Sequence, residues 1–527
     1  MSGKFDVVIA GSGHNGLVAA CYLAKAGMKV CVVEKNEKIG GGVETSEVTL
    51  PGFKHDICSV SHLILQLNPL IKNDELGLKS KYGLRYANPD KISMTCFDDG
   101  TVLEFYSDIE RTCQSIAKFS AKDADAYRRF NQKVYETLDM MIMGMFNPPP
   151  GFGAQAMMLD QSPVGQDLLR IQSISAWDFV CEWFENPKVK IALTRWAANA
   201  MINPFDHGTG FTFYTALPLV HRYGIGLPVG GSGSLTKALE QCLLDLGGVI
   251  RTQCPVKEIK LNGQTAVGVI LESGEEILGS KAVIANLNIK QVFPHMVPGA
   301  TLPEGFSDRV RNIKSSNIQP FKIHLALNEG PKYTFGAAAD GFFYVARSTS
   351  DPEEFERSFR ELERGNPIRT FASYTSADEV DNTRAPAGKR VLSVYAFMPY
   401  KLKGGAQRWD EIGQETANAL IEDMRQVTTN MGPENILGMY YTTPLDIERN
   451  NNAMVNADIL HIGTYAWQLS GNRPLPGWSQ YKMPLDRLFL SSCSTHPGGG
   501  VNGASGRNVA RLLMEDHGLD FDKMVGA

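Results

Sequence analysis

The stretch Phe5-Asp6-Val7-Val8-Ile9-Ala10-Gly11-Ser12-Gly13-His14-Asn15-Gly16 decides the fold of this chain. Phe5 to Ala10 is a short apolar, β-branched run, as in a strand buried in a parallel sheet. Leu17 to Ala26 is rich in Ala and Leu and predicts a helix, with Gly27 as its stop. Lys29 to Val33 predicts a second strand, and Glu34 stands at its end. Strand, glycine turn, helix and strand together make a βαβ unit of about thirty residues.

Each part has a physical task. Gly11 permits a tight turn, Gly13 lets backbone approach a pyrophosphate, and Gly16 lets helix and strand pack closely. His14 and Asn15 open the helix, whose free N–H groups and positive dipole end suit phosphates. Glu34 is placed to accept hydrogen bonds from ribose hydroxyls and to repel a 2′-phosphate. Lys35 follows it. A second glycine cluster, Gly40-Gly41-Gly42, comes where a nicotinamide domain runs straight into its next helix. Gly41 and Gly42 let the chain pass close to a longer, extended dinucleotide.

Bulk properties narrow the classes. The chain has 527 residues, room for more than one packed unit. Its 52 basic and 57 acidic residues give a net charge of -5, so no basic field attracts nucleic acid. Nine scattered cysteines without C-x-x-C spacing are not a disulfide framework and point to a reducing, cytoplasmic setting. No signal-peptide h-region and no run of 18 apolar residues is present, which leaves peripheral membrane attachment open. No zinc spacing and no phosphate-binding P-loop occur, so no metal site is expected.

The stretch from Glu34 to Thr45 resembles the FAD motif of the phytoene desaturase-like flavoproteins, a group that includes retinol saturase-type, carotenoid isomerase-type and pyridine nucleotide-disulphide oxidoreductase domain 2-like proteins. Three further segments carry the resemblance. Leu227-Pro228-Val229-Gly230-Gly231-Ser232-Gly233-Ser234-Leu235 resembles the segment that opens a helix beside the flavin domain. Val256-Lys257-Glu258-Ile259 precedes an Asn262-Gly263 hairpin turn and further strands; the resemblance implies that Val256 meets the adenine through its backbone. Leu488 to Gly503, with Thr495-His496-Pro497-Gly498-Gly499-Gly500-Val501-Asn502-Gly503, resembles the last FAD motif. It implies cofactor contacts at Gly499, Gly500, Val501 and Gly503. Cys493 stands where that motif usually has a small residue.

The expected fold is α/β: a Rossmann-like FAD-binding domain with an inserted α+β substrate domain. The FAD domain is expected in three pieces, 1–88, 223–300 and 480–527. Between them lie a helical substrate or lid region, 89–222, and substrate-domain sheet and helices, 301–479. Helical spacing covers 108–119, 123–143 and 175–201; strands are expected at 322–327 and 390–398, and a helix at 408–430. Asp139 to Phe152, rich in Met and Pro, reads equally as a tunnel mouth or membrane-dipping lid and as core packing under a loop.

The resemblance implies an FAD-dependent oxidoreductase that moves hydride between flavin and a carbon–carbon bond of an apolar, terpenoid or alicyclic substrate. Oxygen, a quinone or a carrier protein would serve as electron acceptor. The rivals are an amine oxidase, a redox-neutral isomerase and a non-catalytic prenyl-binding escort-like protein. Four residues are candidates for chemistry: His62 beyond the second glycine cluster, His461 and Tyr465 in the segment before the last strand, and His496 inside the last motif. Histidine's near-neutral pKa suits proton transfer, but a hydrogen-bonded structural role fits each of the three histidines better.

Overall fold

The computed structural model describes residues 4–526. The chain enters the first of two large sheets three times. The first pass is β1 (Lys4–Ala10), helix α1 (His14–Lys25) and β2 (Val30–Val33). β1 and β2 are parallel, with Val7 opposite Val30 and Ala10 opposite Val33. Helix α1 begins at His14, ahead of the Leu17 start expected from its apolar run, because Gly13 is the N-cap and the turn feeds straight into the helix.

The chain then supplies β3 (Lys91–Phe97) and β4 (Val102–Tyr106), an antiparallel pair in the second sheet. A region expected to be helical thus opens with a hairpin around Asp98-Asp99-Gly100. Apolar runs this short do not distinguish helix from strand by spacing alone. Helices α2 (Ala121–Met145) and α3 (Phe152–Asp160) follow. The stretch 175–201 is two helices, α4 (Ala176–Trp183) and α5 (Pro187–Ala198). Pro187 lacks an N–H and keeps Asn186 extended, and the Asn186 side chain caps the second helix. Helix α6 (Gly210–Tyr223) completes this layer.

The second pass through the first sheet comprises α7 (Gly233–Asp245), β5 (Val249–Arg251), and the strands β6 (Val256–Asn262), β7 (Thr265–Leu271) and β8 (Glu276–Ala285). Asn262 faces Thr265 across the expected Asn-Gly turn, and β8 runs parallel beside β1. The second sheet is then completed by β9 (Ile318–Leu327), β10 (Tyr344–Ser348), β11 (Ser373–Thr375), β12 (Arg390–Pro399) and β13 (Ile436–Thr442), with helix α8 (Trp409–Arg425) against it. The last pass is β14 (Leu488–Leu490) and α9 (Ala504–Asp516).

The first sheet has the order β6-β7-β8-β1-β2-β5, with β14 pairing the far half of β8. The second has the order β13-β9-β12-β11-β10-β3-β4. One face of the first sheet packs α1, α7 and α9 into a shared core; a separate core fills the helical layer. The Met-rich run is split: Phe146 is 4% exposed in a small core with Ile142 and Met145 packed on it, while Met143 and α3 turn outward. Met143, Met157 and Met158 are 65%, 67% and 70% exposed, and Phe152 is 53% exposed. Core packing describes Phe146 and its neighbours, and not these four exposed side chains. Among the described residues no helix is long and apolar enough to cross a membrane.

Candidate active site

The carboxyl ends of β1 and β2 open onto a cavity of about 390 Å³. The glycine turn is held from behind by Asn286, which follows β8. Its Nδ2 donates to the carbonyls of Gly11 and Gly13, each at 3.1 Å. A Cβ on Gly13 would stand 2.8 Å from that nitrogen, and one on Gly16 would stand 2.7 Å from both it and the Gly11 oxygen. Only glycine fits these positions, so the turn stays thin enough for a ligand to reach the start of α1.

Glu34 is fixed on both oxygens. One accepts from Ser12 N at 3.0 Å and Ser12 Oγ at 2.7 Å; the other accepts from Asn36 N at 2.9 Å. The oxygen that accepts from Asn36 keeps a second lone pair for a ligand hydroxyl. The second glycine cluster docks on the first through Gly40 N to Ser12 O at 3.1 Å. At the third FAD piece Asn502 organises the loop. Its Nδ2 donates to the carbonyls of Gly498 and Gly500, and its Oδ1 accepts from Ala504 N at 2.9 Å.

The cavity wall collects Gly11, Gly13, His14, Asn15, Glu34, Lys35, Gly41, Gly42, Val256, Gly500 and Val501 from the expected cofactor set. Three others stand off the wall. Gly16 is the close-packing position just described. Gly499 packs against Leu460, where a Cβ would come within 2.4 Å, and Gly503 is the left-handed cap of α9. Cys493 is on the wall, with burial pushing its thiol up to about 12.

The structure separates the four candidates for chemistry. His461 alone of them lines the cavity. It sits at φ +69°, its N–H donates to Asp458 O at 2.8 Å, and its carbonyl accepts from Asn288 Nδ2 at 2.9 Å. Its Nδ1 lies 3.3 Å from Ser494 Oγ. Burial, with help from Arg473 and His14, pushes the ring down to about 3. His62 is fully buried away from the wall, its Nε2 2.7 Å from Ser232 Oγ and its Nδ1 3.1 Å from Tyr86 OH. Tyr465 is buried outside the cavity, stacked on Trp467 at 4.7 Å with Lys314 Nζ 4.2 Å from its ring centre. His496 is turned toward the end of α2, with Nε2 2.9 Å from the Gly144 carbonyl. It couples the Met-rich run to the last FAD motif.

Three buried cations went unnoticed in the sequence. Arg473 is fully buried and donates to the carbonyls of Cys493 at 2.5 Å, Leu460 at 2.9 Å and Ile462 at 3.3 Å. Burial lowers its pKa to about 10. Lys322 on β9 donates to the carbonyls of Asp56, Ile57 and Cys58 at 2.8, 3.1 and 3.0 Å; burial pushes its ammonium down. Arg384 bridges Asp56 and Asp381 at 2.8 and 2.6 Å. Each is a lone basic residue in ordinary local sequence. Only the buried carbonyls or carboxylates they serve, distant along the chain, mark them. Asp458 lies behind Leu460, pushed up to about 6 by burial.

These residues fit a flavin dinucleotide. The wall offers the glycine turn, the helix start and the Glu34 carboxylate, and two wall atoms, His14 Nε2 and Asn15 Oδ1, are buried without a partner.

The sequence model of the flavin-containing amine oxidoreductases matches residues 16–514, and the chain belongs to that family. It is 29% identical to pyridine nucleotide-disulfide oxidoreductase domain-containing protein 2 of Rattus norvegicus, over 97% of this chain and 94% of that protein. It is 25% identical to a limonene dehydrogenase subunit of Castellaniella defragrans, over 98% of this chain and 95% of the relative. Among solved structures, a putrescine oxidase variant with redesigned cofactor binding superposes with a TM-score of 0.65 at 14% identity, covering 97% of this chain and 99% of that one. The α/β architecture expected from the sequence is the one found, and the protein is an FAD-dependent oxidoreductase.

Proposed function

We propose that this protein removes hydrogen from, or adds it to, a carbon–carbon bond of an apolar terpenoid or alicyclic substrate. One observation carries the reading. The cavity's two carboxylates, Glu34 and Glu272, stand with the residues of the expected dinucleotide site, and the wall contributed by Cys58, Ser59, Val60, Ser61, Asn199, Ile459 and Leu460 adds none to pair with an ammonium group. An amine substrate would enter that region without a counter-charge, whereas an apolar one loses little by doing so. The name of the limonene dehydrogenase subunit supports the same substrate class.

FAD, when bound, supplies the hydride acceptor or donor at its N5. The chain's residues supply position and environment. Asn286 and Glu34 fix the glycine turn, Arg473 ties the backbone at Cys493 to that at Leu460 and Ile462, and Lys322 ties down the carbonyls of Asp56, Ile57 and Cys58. His461, held neutral, orients a group in the cavity by hydrogen bonding and is a poor proton acceptor near pH 7. The exposed apolar face of α2 and α3 rests on a lipid surface and admits greasy substrates from it; residues 140–159 contain no charged side chain.

The test is anaerobic bleaching of the flavin band at roughly 450 nm by monoterpenes, cyclic ketones, carotenoids and amines in parallel. Reduction by an alkene-forming substrate class, with amines inert, is expected. Reduction by amines alone overturns the reading. The reduced protein is then reoxidised with oxygen, a quinone or a carrier protein to identify the acceptor.

A further inference from the structure

The buried part of the cavity wall holds no lysine or arginine. Its basic side chains are His14, His461 and Lys35, and Lys35 lies at the rim with its ammonium 2.9 Å from Asn452 Oδ1. Arg473 stands behind the wall with its donors engaged by carbonyls. A pyrophosphate placed by the glycine turn therefore meets the first-turn N–H groups of α1 and whatever His14 offers. His14 is the first residue of α1 and is 8% exposed, and its Nε2 has no partner among the described residues. A buried ring nitrogen left unpaired is costly unless a ligand completes it.

We propose that His14 is a proton-coupled anchor for the cofactor: its imidazole takes up one proton from solvent as the pyrophosphate of FAD binds, and its Nε2–H donates to the phosphate oxygens. The proposal rests on FAD occupying this cavity. In the free protein, burial holds the ring down to about 4, so it is neutral near pH 7. An anion within hydrogen-bonding reach favours the charged form and raises that value.

The neighbours tie protonation to binding. His461 and His62 lie within electrostatic reach of His14, and each is itself pushed down to about 3. Arg473 opposes a charge on His461 and Arg384 opposes one on His62, so neither of those rings is protonated in place of His14. On α9, which packs against α1, Arg507 is neutralised by Glu75 at 2.8 Å. Glu34, the buried carboxylate of the wall, is engaged by Ser12 and Asn36. Among the described residues no carboxylate pairs with the His14 ring; with the dianion, proton and cofactor bind together. Affinity for FAD is then highest at low pH and is lost as pH rises through the raised value in the complex.

The experiment uses holoenzyme whose flavin absorbance is first confirmed, so a missing cofactor is recognised separately. Phosphorus NMR of the bound pyrophosphate and the rate of FAD release are followed from about pH 5 to about pH 8. In the wild type the resonances are expected to move through one titration step, with release accelerating by up to about tenfold per pH unit. In His14→Asn both are expected to be flat. A flat wild-type profile, or the same step in His14→Asn, overturns the proposal. If the variant does not retain flavin, nitrogen-15 labelling of histidine in the wild type decides. An imidazolium signal present with FAD and absent after its removal supports the proposal, and no such signal overturns it.

Discussion

Arg384 and Asp56 form an ion pair at 2.8 Å, with their side chains 1% and 2% exposed, across the boundary between the substrate sheet and the flavin domain. Asp381 holds the same guanidinium from the other side at 2.6 Å. Asp56 also accepts from Ser232 N at the start of α7 and from Thr45 Oγ1. One buried arginine thus joins the second FAD segment, the loop beyond the second glycine cluster and the substrate domain. Arg384→Ala leaves two buried carboxylates unpaired and is expected to cost about 3–5 kcal/mol of stability. Urea unfolding of the purified variant against wild type measures this. A loss under about 1 kcal/mol, the value of an exposed pair, contradicts the role assigned to it.

Glu34 is expected to govern cofactor retention more than folding. Glu34→Ala removes a charged acceptor facing the cavity and frees Ser12 N and Asn36 N. Loss of one charged hydrogen bond, about 1.5–3 kcal/mol, corresponds to roughly ten- to hundredfold weaker FAD binding. The flavin-to-protein absorbance ratio after desalting checks this. Full occupancy of the variant at low protein concentration would remove Glu34 from the cofactor set.

The contrast between these two residues shows what a sequence reveals. Glu34 was legible because strand, turn, helix and acid follow one another, so local rules alone place it at the end of β2. Arg384 was not, because its meaning lies in Asp56, which stands 328 positions earlier. The same limit separates the histidines. His62, His461 and His496 all lie in or near segments that resemble flavin motifs, yet only His461 reaches the wall. Side-chain direction depends on partners such as Ser232, Tyr86 and Gly144, which no local pattern encodes. The β3–β4 hairpin was missed for another reason: strand and buried helix share the same short apolar composition.

Replacing His461 separates orientation from proton transfer. His461→Ala removes one neutral hydrogen-bonding group at the wall, worth about 1 kcal/mol, and is expected to slow flavin reduction roughly five- to tenfold by that amount. Because the ring is held near 3, its charge does not change near neutrality. The pH profile of the reduction rate between about pH 5 and about pH 8 should therefore keep its shape in the variant. A fall in rate toward acid pH that vanishes with His461 would instead make it the proton acceptor. Stopped-flow reduction with whichever substrate bleaches the flavin supplies both readings.

Acid should destabilise this protein early. His55, His62 and His496 are buried and pushed down from an ordinary value of 6.5 to about 4, 3 and 4, with burial the largest cause for each. Below 6.5 the unfolded chain binds protons that the folded one refuses, so stability falls as pH drops from there toward the folded values. Above 6.5 these groups contribute no slope. Each fully titrating histidine adds about 1.4 kcal/mol per pH unit. Urea midpoints should be level above about pH 7 and decline steeply below about pH 6. A midpoint unchanged down to about pH 5 would show that these rings are protonated in the native state.

The Met-rich surface offers the sharpest contrast between stability and function. Met143, Met157 and Met158 are 65%, 67% and 70% exposed, so the folded protein gains little from them as core. Substituting all three with Gln is expected to change unfolding free energy by no more than about 0.5 kcal/mol per site, as for ordinary surface positions. If the face rests on lipid, the same change removes the apolar area that would enter the bilayer boundary. Co-sedimentation with neutral phosphatidylcholine vesicles should then fall several-fold, while flavin content and reduction by a detergent-solubilised substrate persist. His496 bonds the Gly144 carbonyl at 2.9 Å and joins this face to the flavin motif, so turnover of vesicle-borne substrate should fall in parallel with vesicle binding. Equal vesicle binding by wild type and the triple variant would assign the exposed methionines to something other than a lipid surface.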